Sequence, residues 1–167
     1  MSRASAQFYL VALGSNRRHH LYGQPRSVVG AAMEELAALG TVTDRSSIIS
    51  TEPLGPAKRR FANAAVLIDS DYDPLAMLAG LQHIEREFGR KDGGQSWGDR
   101  VLDLDIVLWS GGSWQDSGLS IPHPHFRERS FVLEPALQLA ADWRDPVTAL
   151  TLAQIYARLT KPRAVPR

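Results

Sequence analysis

The chain has 167 residues, of which 44% are hydrophobic and 22% charged, a composition that excludes a disordered or fibrous protein and favours one domain with a substantial core. The formal net charge of +1 is too balanced for sequence-independent nucleic-acid binding to be the main activity. The absence of cysteine excludes disulfides, thiolate nucleophiles and zinc–thiolate or iron–sulfur sites. The longest N-terminal apolar run, residues 8–13, is too short for a signal peptide or membrane span, so we expect a cytoplasmic protein.

The first part of the chain alternates strand and helix patterns. Residues 8–13 predict a buried strand. Apolar residues at helical spacing predict a helix over residues 27–39, which Gly40 can end in a left-handed conformation. The stretch 41–51 is rich in threonine, serine and isoleucine, a composition that predicts the next strand.

A further strand and a capped helix follow. Residues 61–68 predict a strand, which comes after a loop that Pro53 and Pro56 make rigid. Asp73 as the N-cap and a proline in the first turn predict the start of a helix, and Gly89 predicts its end.

The second half begins with a glycine-rich polar stretch, residues 89–98, which predicts a mobile loop. Residues 101–108 predict a strand and residues 119–121 a short one, whereas residues 127–140 and 151–159 have helical patterns. The core order β-α-β-β-α-β is typical of the split-βαβ fold. We therefore expect an antiparallel sheet with helices on one face, followed by a helical appendix.

A pair of acidic residues in the last predicted core strand carries the sharpest chemical signal. Because strand side chains alternate, Asp103 and Asp105 share one face, with positions two apart separated by roughly 6.5 Å. Carboxylates at that distance repel each other unless a cation lies between them, and oxygen ligands favour Mg²⁺ over Zn²⁺. Arg90 and Arg100 flank the glycine-rich stretch that precedes the acid pair, and arginines beside paired carboxylates suit a polyphosphate partner. The alternative is an exposed strand face that carries two acids without a function.

Aromatic and amide side chains near two predicted loops suit a flat ligand. Trp97 lies in the glycine-rich stretch, where it could be a lid or stacking surface or could simply anchor the loop. Phe61 and Asn63 share a strand face, and the Asn63 amide presents a donor and an acceptor that could bind the edge of a heterocycle. Loop backbone could equally satisfy that amide.

Two further groups of residues are candidates for ligand contact. His123 and His125 could form a metal pair, but the neighbouring prolines and the lack of a completing ligand pattern disfavour zinc. Phosphate contacts suit His123 and Arg129 better. Gln82 and Glu85, three residues apart on the second predicted helix, could face a ligand or form the solvated side of the helix.

Several short motifs, in order along nearly the whole chain, resemble those of one known family. They are Ala12-Leu13-Gly14-Ser15-Asn16, Thr51 with Pro53-Leu54-Gly55-Pro56, Phe61-x-Asn63-Ala64-Ala65, Ile84-Glu85-Arg86 with Gly89-Arg90, Trp97-Gly98-x-Arg100-x-Leu102-Asp103-Leu104-Asp105-Ile106, and Ile121-Pro122-His123. On these motifs the chain resembles the 6-hydroxymethyl-7,8-dihydropterin pyrophosphokinases of folate biosynthesis. The resemblance implies a ferredoxin-like α+β fold, with one pyrophosphokinase domain over residues 8–160 between flexible tails at 1–7 and 161–167.

The resemblance also implies an activity, the transfer of pyrophosphate from ATP to the pterin hydroxymethyl oxygen with release of AMP. It implies that Asp103 and Asp105 hold two Mg²⁺ ions and that Arg90 and Arg100 steady the transferring phosphates. The residues implied at the pterin site are Thr51, Leu54, Phe61, Asn63, Trp97 and Phe131. Those implied at the ATP site are Gln82, Glu85, Ile106, His123 and Arg129. We expect a monomer that binds these small molecules and neither nucleic acid nor a membrane.

A few positions depart from the family pattern. Asp92 and Asp99 stand where a basic residue and a proline are usual, and Gly118 stands where a basic ATP contact can occur. These differences bear on ATP affinity and loop closure rather than on the reaction type.

Two other classes of function compete with this interpretation. Nucleotidyltransferases also combine Gly-Ser with Asp-x-Asp, but a short helix separates the two there, whereas about ninety residues separate Gly14-Ser15 from Asp103 here. An RNA-binding split-βαβ module needs exposed aromatic residues on its central strands and a basic face. The strand with Asp103 and Asp105 carries carboxylates instead, which repel phosphate in the absence of a metal.

Overall fold

A five-stranded antiparallel sheet organises the part of the protein that the structure describes. The computed structural model describes residues 6–51, 60–89 and 101–162. The strands of the sheet are β1 Gln7–Ser15, β2 Thr41–Arg45, β3 Ile49–Thr51, β4 Phe61–Ser70 and β5 Asp103–Trp109. Strand β1 lies in the middle and pairs with β4 and β5, while β2 and β3 both pair with β4. This strand order confirms the predicted split-βαβ fold of the ferredoxin-like kind.

The described residues also form four helices and a separate hairpin. The helices are α1 Pro25–Glu35, α2 Pro74–Glu87, α3 Ser130–Ala140 and α4 Leu152–Thr160. One short 3₁₀ helix, Leu36–Ala38, extends α1, and another, Phe126–Glu128, precedes α3. The hairpin pairs β6 Trp114–Asp116 with β7 Leu119–Ile121. In the described parts of the chain, we find no helix with the length and apolar character needed to cross a bilayer.

The sheet is covered on both faces, which gives the protein three layers. Tyr9 and Val11 of β1 pack on one side in a cluster with apolar residues of α1 and α2. Leu10 and Ala12 point to the other side, where they join apolar residues of α3 and α4. The predicted helical appendix therefore packs on the second face of the sheet, since α3 contacts β4 as well as α4. We refer to these two clusters as the first and the second core cluster.

Helix α2 begins and ends where the sequence predicts. The amide of Ala76 donates to Asp73 Oδ1 at 2.8 Å, so Asp73 caps the N-terminus just before a proline in the first turn. Gly89 follows the helix with a φ of 101°, and its amide donates to the Arg86 carbonyl at 2.9 Å. A left-handed glycine at this position satisfies an end carbonyl without a steric penalty.

The prediction for Gly40 was wrong. This residue does not have a positive φ, because α1 has already tightened into the 3₁₀ turn that ends near Leu39. A Cβ at position 40 would lie 2.4 Å from the Asp69 carbonyl oxygen. Glycine is needed here because β2 starts in close approach to β4.

The predicted strand over residues 41–51 is two strands. A register shift between Val42 and Asp44 twists β2 away from regular pairing, and residues 46–48 lie outside both strands. At Ser46 the side chain replaces a strand carbonyl, because its Oγ accepts the Ala65 amide hydrogen at 2.8 Å. The predicted helix 127–140 also starts later, at Ser130, because Arg129 is extended with φ −114° and ψ 97°.

Candidate active site

The two aspartates of β5 lie side by side on one face of the sheet. Asp103 pairs with Gly14 and Asp105 pairs with Ala12 on the neighbouring strand. Both aspartates are partly exposed, whereas Leu102 and Leu104, which alternate with them, are buried in the first core cluster. The acid pair therefore faces away from α1 and α2, on the side of the sheet that α3 and α4 cover farther down.

Small residues of β1 form a floor between the acid pair and a buried amide on β4. Gly14 pairs with Asp103 on one side and with Asn63 on the other. A Cβ added at Gly14 would come within 3.1 Å of Asn63 Nδ2, so the missing side chain makes room for the amide. Two strand spacings separate Asp103 from Asn63, roughly 10 Å. A fused two-ring heterocycle with a one-carbon arm spans such a gap.

The Asn63 amide is held in place from the adjacent strand. Its side chain is only 5% exposed, and Thr51 Oγ1 donates a hydrogen bond to Asn63 Oδ1 at 2.8 Å. A buried amide whose orientation is fixed by a neighbour is suited to present a donor and an acceptor to one ligand edge. Sequence reasoning paired Asn63 with Phe61 and did not identify the contact with Thr51.

A half-buried aromatic ring and an open cavity lie at the start of β4, and a second aromatic ring lies on α3. Phe61 lies two residues from Asn63 on β4 and is half-buried. Phe131 packs against the second core cluster, and the Arg129 guanidinium lies 5.8 Å from the centre of its ring. A cavity of about 320 Å³ opens beside Phe61, lined by Asn16, Arg18, Gln24, Pro25, Arg26, Ser50, Arg60, Phe61 and Ala62.

His123 lies next to the acid pair, in surroundings that favour the neutral form of its ring. Its Nε2 is 3.9 Å from Asp105 Oδ2, and its Nδ1 accepts the His125 amide hydrogen at 3.1 Å. The proton of the neutral ring therefore sits on Nε2, toward Asp105. Burial lowers the pKa of His123 to about 4, helped by the charges of Arg129 and His125 and opposed by Asp103.

The predicted ATP residues do not all meet at one surface. Gln82 is exposed on α2, but Glu85 is buried, and its Oε2 accepts the Leu104 amide hydrogen at 3.0 Å. The Ile106 side chain is 4% exposed in the first core cluster, on the opposite face of β5 from Asp105. Leu54, Arg90, Trp97 and Arg100 lie outside the described residues, so their assigned roles remain predictions.

The acid pair suits a metal that a substrate helps to hold. Among the residues that the structure describes, no group of three or more histidine or acidic side chains could hold an ion by itself. Mg²⁺ binds through one or two carboxylates plus water and substrate phosphates, so two half-exposed carboxylates above a floor of small residues fit it. Oxygen-only ligands also match its chemistry.

A buried ion pair that the sequence analysis missed supports the segment bearing Arg129. Asp145 is fully buried and accepts from Arg127 at 2.6 and 2.9 Å, from the Val147 amide and from the Thr148 hydroxyl. Burial alone would raise the pKa of Asp145, but these hydrogen bonds and the charge of Arg127 hold it below its ordinary value. The pair links the turn before α3 to the loop before α4.

Solved structures share the fold of this chain. One is a Plasmodium falciparum HPPK-DHPS with pterin and p-hydroxybenzoate, at a TM-score of 0.71 and 14% identity over 94% of this chain. Another is an HPPK-DHPS in complex with substrates, at a TM-score of 0.70 and 13% identity over 92% of this chain. This chain spans 44% and 43% of their lengths.

Sequence comparison gives the family. A protein of Pseudomonas aeruginosa named 2-amino-4-hydroxy-6-hydroxymethyldihydropteridine pyrophosphokinase is 39% identical over 140 residues, which cover 81% of this chain and 82% of that protein. A protein of the same name from Haemophilus influenzae is 34% identical over 90% of this chain and 89% of its own length. Residues 10–141 match the family model 7,8-dihydro-6-hydroxymethylpterin-pyrophosphokinase. The chain belongs to this pyrophosphokinase family.

Proposed function

We propose that this protein transfers the terminal diphosphate of ATP to the hydroxymethyl group of 6-hydroxymethyl-7,8-dihydropterin, which gives the pterin diphosphate and AMP in folate biosynthesis. In this reaction the hydroxymethyl oxygen forms a bond to the β-phosphorus and loses its proton to solvent, and the bond from that phosphorus to the α-phosphate oxygen breaks, so that this oxygen leaves with AMP. One observation carries the proposal. In this member of the family, Asp103, Gly14 and Asn63 lie side by side on three neighbouring strands of the sheet.

The acid pair is the phosphate end of the proposed site. Asp103 and Asp105 would hold two Mg²⁺ ions, which, when bound, neutralise the triphosphate and polarise the transferring group. Phosphoryl-type transfer needs positioning and charge stabilisation rather than a covalent intermediate. A neutral His123, with its Nε2 proton toward Asp105, adds a hydrogen-bond donor at this end without repelling the metal.

Asn63 is the recognition group at the pterin end. Its amide, fixed by Thr51, would bind the donor and acceptor edge of the pterin ring. Phe61 and Phe131 would contact the faces of the ring, with Leu54 and Trp97 as further predicted contacts. Because Asn63 lies two strands from Asp103, a ring bound at Asn63 extends its hydroxymethyl arm toward the acid pair.

The remaining nucleotide contacts are assigned by family resemblance. Arg129 and Gln82 would contact ATP with their side chains. Ile106 would contribute its main chain, since its side chain is buried on the other face of β5. Arg90 and Arg100 would stabilise charge on the transferring phosphates. We further propose that the protein is a cytoplasmic monomer whose partners are these small molecules, and not nucleic acid or a membrane.

One assay distinguishes this function from its two rivals. The full-length protein is incubated with ATP, Mg²⁺ and the reduced pterin alcohol, and the nucleotide products are separated by chromatography. We expect AMP and pterin diphosphate in equal amounts, formed only when both Mg²⁺ and the pterin are present. Release of pyrophosphate would favour a nucleotidyltransferase, and RNA retention with neither product would favour a binding module. Either result would contradict the proposal.

A further inference from the structure

A buried glutamate contacts the main chain of β5 between the two aspartates. Glu85 lies on α2 with 4% exposure, and its Oε2 accepts the amide hydrogen of Leu104 at 3.0 Å. Leu104 is the residue between Asp103 and Asp105. Strand β5 is at the edge of the sheet, and β1 pairs with its inner side. The carboxylate of Glu85 therefore takes the place of a neighbouring strand at this point of the edge.

A carboxylate is unusual at position 85, because this position is buried. The other buried residues of α2 are apolar: Pro74, Met77, Leu81 and Ile84. A carboxylate loses hydration when buried and is tolerated only with strong hydrogen bonds or charge partners. An apolar residue at position 85 would make the buried face of α2 entirely apolar, but it would leave the Leu104 amide without the carboxylate as its acceptor.

A second contact holds the same edge farther along. The main-chain amide of His123 donates to the Val107 carbonyl at 3.1 Å. Asp105 thus lies between two fixed points of β5, Leu104 and Val107, and the His123 ring approaches its carboxylate. Among the described strands β5 has a strand neighbour on its inner side alone, and an edge strand of this kind would otherwise be the least constrained of the sheet.

We infer that Glu85 is a positioning residue for the acid pair: through the Leu104 amide it fixes the separation and direction of Asp103 and Asp105. This role rests on the proposed function, because it presumes that the two carboxylates hold metal. It differs from the direct ATP contact that family resemblance implies, since Oε2 is directed at the main chain of β5. Groups that orient metal ligands commonly change metal affinity or activity by 10–100-fold when removed.

The test compares two substitutions at Glu85 in the full-length protein. Glu85→Gln keeps a carbonyl oxygen that can accept from Leu104, whereas Glu85→Leu removes it. Three quantities are measured: amide hydrogen exchange at Leu104, binding of Mn²⁺ with a non-hydrolysable ATP analogue, and the rate of AMP formation. Glu87→Gln and Glu87→Leu are matched controls, because Glu87 is exposed on the same helix.

We expect Glu85→Leu to accelerate Leu104 exchange, weaken Mn²⁺ binding by about 10–100-fold and lower kcat by a similar factor. We expect Glu85→Gln to retain Leu104 protection, with Mn²⁺ affinity and kcat within about threefold of the unsubstituted protein. If Glu85→Leu fails to fold, the glutamine variant still decides the question. Loss of kcat in that variant with Leu104 still protected would overturn the inference and indicate direct substrate contact.

Two further outcomes separate this inference from the proposed function. Unchanged Mn²⁺ affinity and kcat in Glu85→Leu, despite faster Leu104 exchange, would overturn the positioning role alone. If the unsubstituted protein formed no AMP at all, the proposed function would fail. The Mn²⁺ affinities of the two Glu85 variants would then decide whether Glu85 still orders the acid pair.

Discussion

One face of the central sheet has two halves that differ in chemistry although the same strands build both. In the first half, the covered half, Leu10 of β1 lies between Leu67 and Leu108, and α3 and α4 cover the row. In the second half, the open half, which lies four residues farther along β1, Gly14 lies between Asn63 and Asp103. The rows are roughly 13 Å apart along the strand.

The comparison shows that a few side-chain differences are enough to separate a core surface from a candidate active site on the same strands. Pairing is antiparallel and continuous along β1 and β4 in both halves, so the backbone scaffold is shared. What changes is side-chain volume on β1, from leucine through Ala12 to glycine, together with the appearance of polar groups on the flanking strands. A rigid scaffold shared with the core gives the polar row fixed distances.

The largest expected effect is on catalysis, from neutralising the acid pair in the open half. Asp103→Asn or Asp105→Asn should lower kcat/KM by about a thousand-fold, roughly 4 kcal/mol of transition-state stabilisation, because the proposed Mg²⁺ site would lose a ligand. The melting temperature should not fall, since removing one of two like charges relieves repulsion. The measurements are AMP formation at saturating Mg²⁺ and thermal unfolding, with Asp116→Asn in the exposed hairpin as control. A near-normal rate would remove the acid pair from the mechanism.

The opposite result, a loss of stability with little loss of catalysis, is expected from the ion pair beside the helices of the covered half. Asp145→Asn should lower the free energy of unfolding by about 3 kcal/mol at pH 7, because it leaves the Arg127 guanidinium without its buried partner. For a protein of this size that is roughly 10 °C in melting temperature. Because this ion pair supports the segment of Arg129, a proposed ATP contact, the KM for ATP should rise. Because the acid pair itself is untouched, kcat at saturating ATP and at a temperature well below unfolding should stay within about threefold. A large kcat loss in a folded variant would show that the two halves are not separable.

The pH dependence of the unfolding free energy tests whether the Asp145 carboxylate is the source of that stabilisation. The folded state holds the pKa of Asp145 below its ordinary value of 3.8, so the stabilisation is complete above that value. As the pH falls through the folded-state pKa, the carboxylate protonates and the stabilisation disappears. The stability difference between Asp145→Asn and the unsubstituted protein should therefore shrink only below about pH 4. A difference that shrinks near neutral pH would point to a different titrating group.

A smaller effect is expected at Asn63, the end of the open half that we propose binds the pterin. Asn63→Ala should raise the KM for the pterin by about 10–100-fold, because the ring edge loses paired hydrogen bonds, while the KM for ATP changes little. Steady-state kinetics with each substrate varied in turn provides the check, and Thr51→Val, which removes only the hydroxyl that orients the amide, should give an intermediate value. Equal losses for both substrates would mean that Asn63 is structural.

Local rules are enough to predict the parts of the fold that depend on short sequence patterns. The alternation of Asp103 and Asp105 with buried leucines places both acids on one face, and the caps Asp73 and Gly89 mark the limits of α2 as predicted. Each of these signals comes from residues within a few positions of each other. The predicted element order β-α-β-β-α-β indicates the split-βαβ fold, and the family resemblance agrees with it; the structure confirms this fold.

The features that were missed depend on contacts between distant segments. Val107 and Leu108 both face the second core cluster because β5 carries a bulge opposite Leu10 and Val11. A continuous apolar run gives no sign of such a shift in phase. The sequence alone does not distinguish Glu85 from Gln82 on α2, and only packing against β5 shows that Glu85 is buried while Gln82 is exposed.

The smallest expected effect comes from the floor of the open half. Gly14→Ala adds a Cβ 3.1 Å from Asn63 Nδ2, tight enough to displace the amide by a few tenths of an ångström. The KM for the pterin should rise by about tenfold, and the rate at saturating substrate should fall less, because the acid pair keeps its backbone. Gly30→Ala on α1 is the matched control, because a Cβ there would lie no closer than 4.0 Å to its nearest neighbour. If Gly14→Ala leaves pterin binding unchanged, the open half tolerates side chains on β1, and glycine there is not what separates it from the covered half.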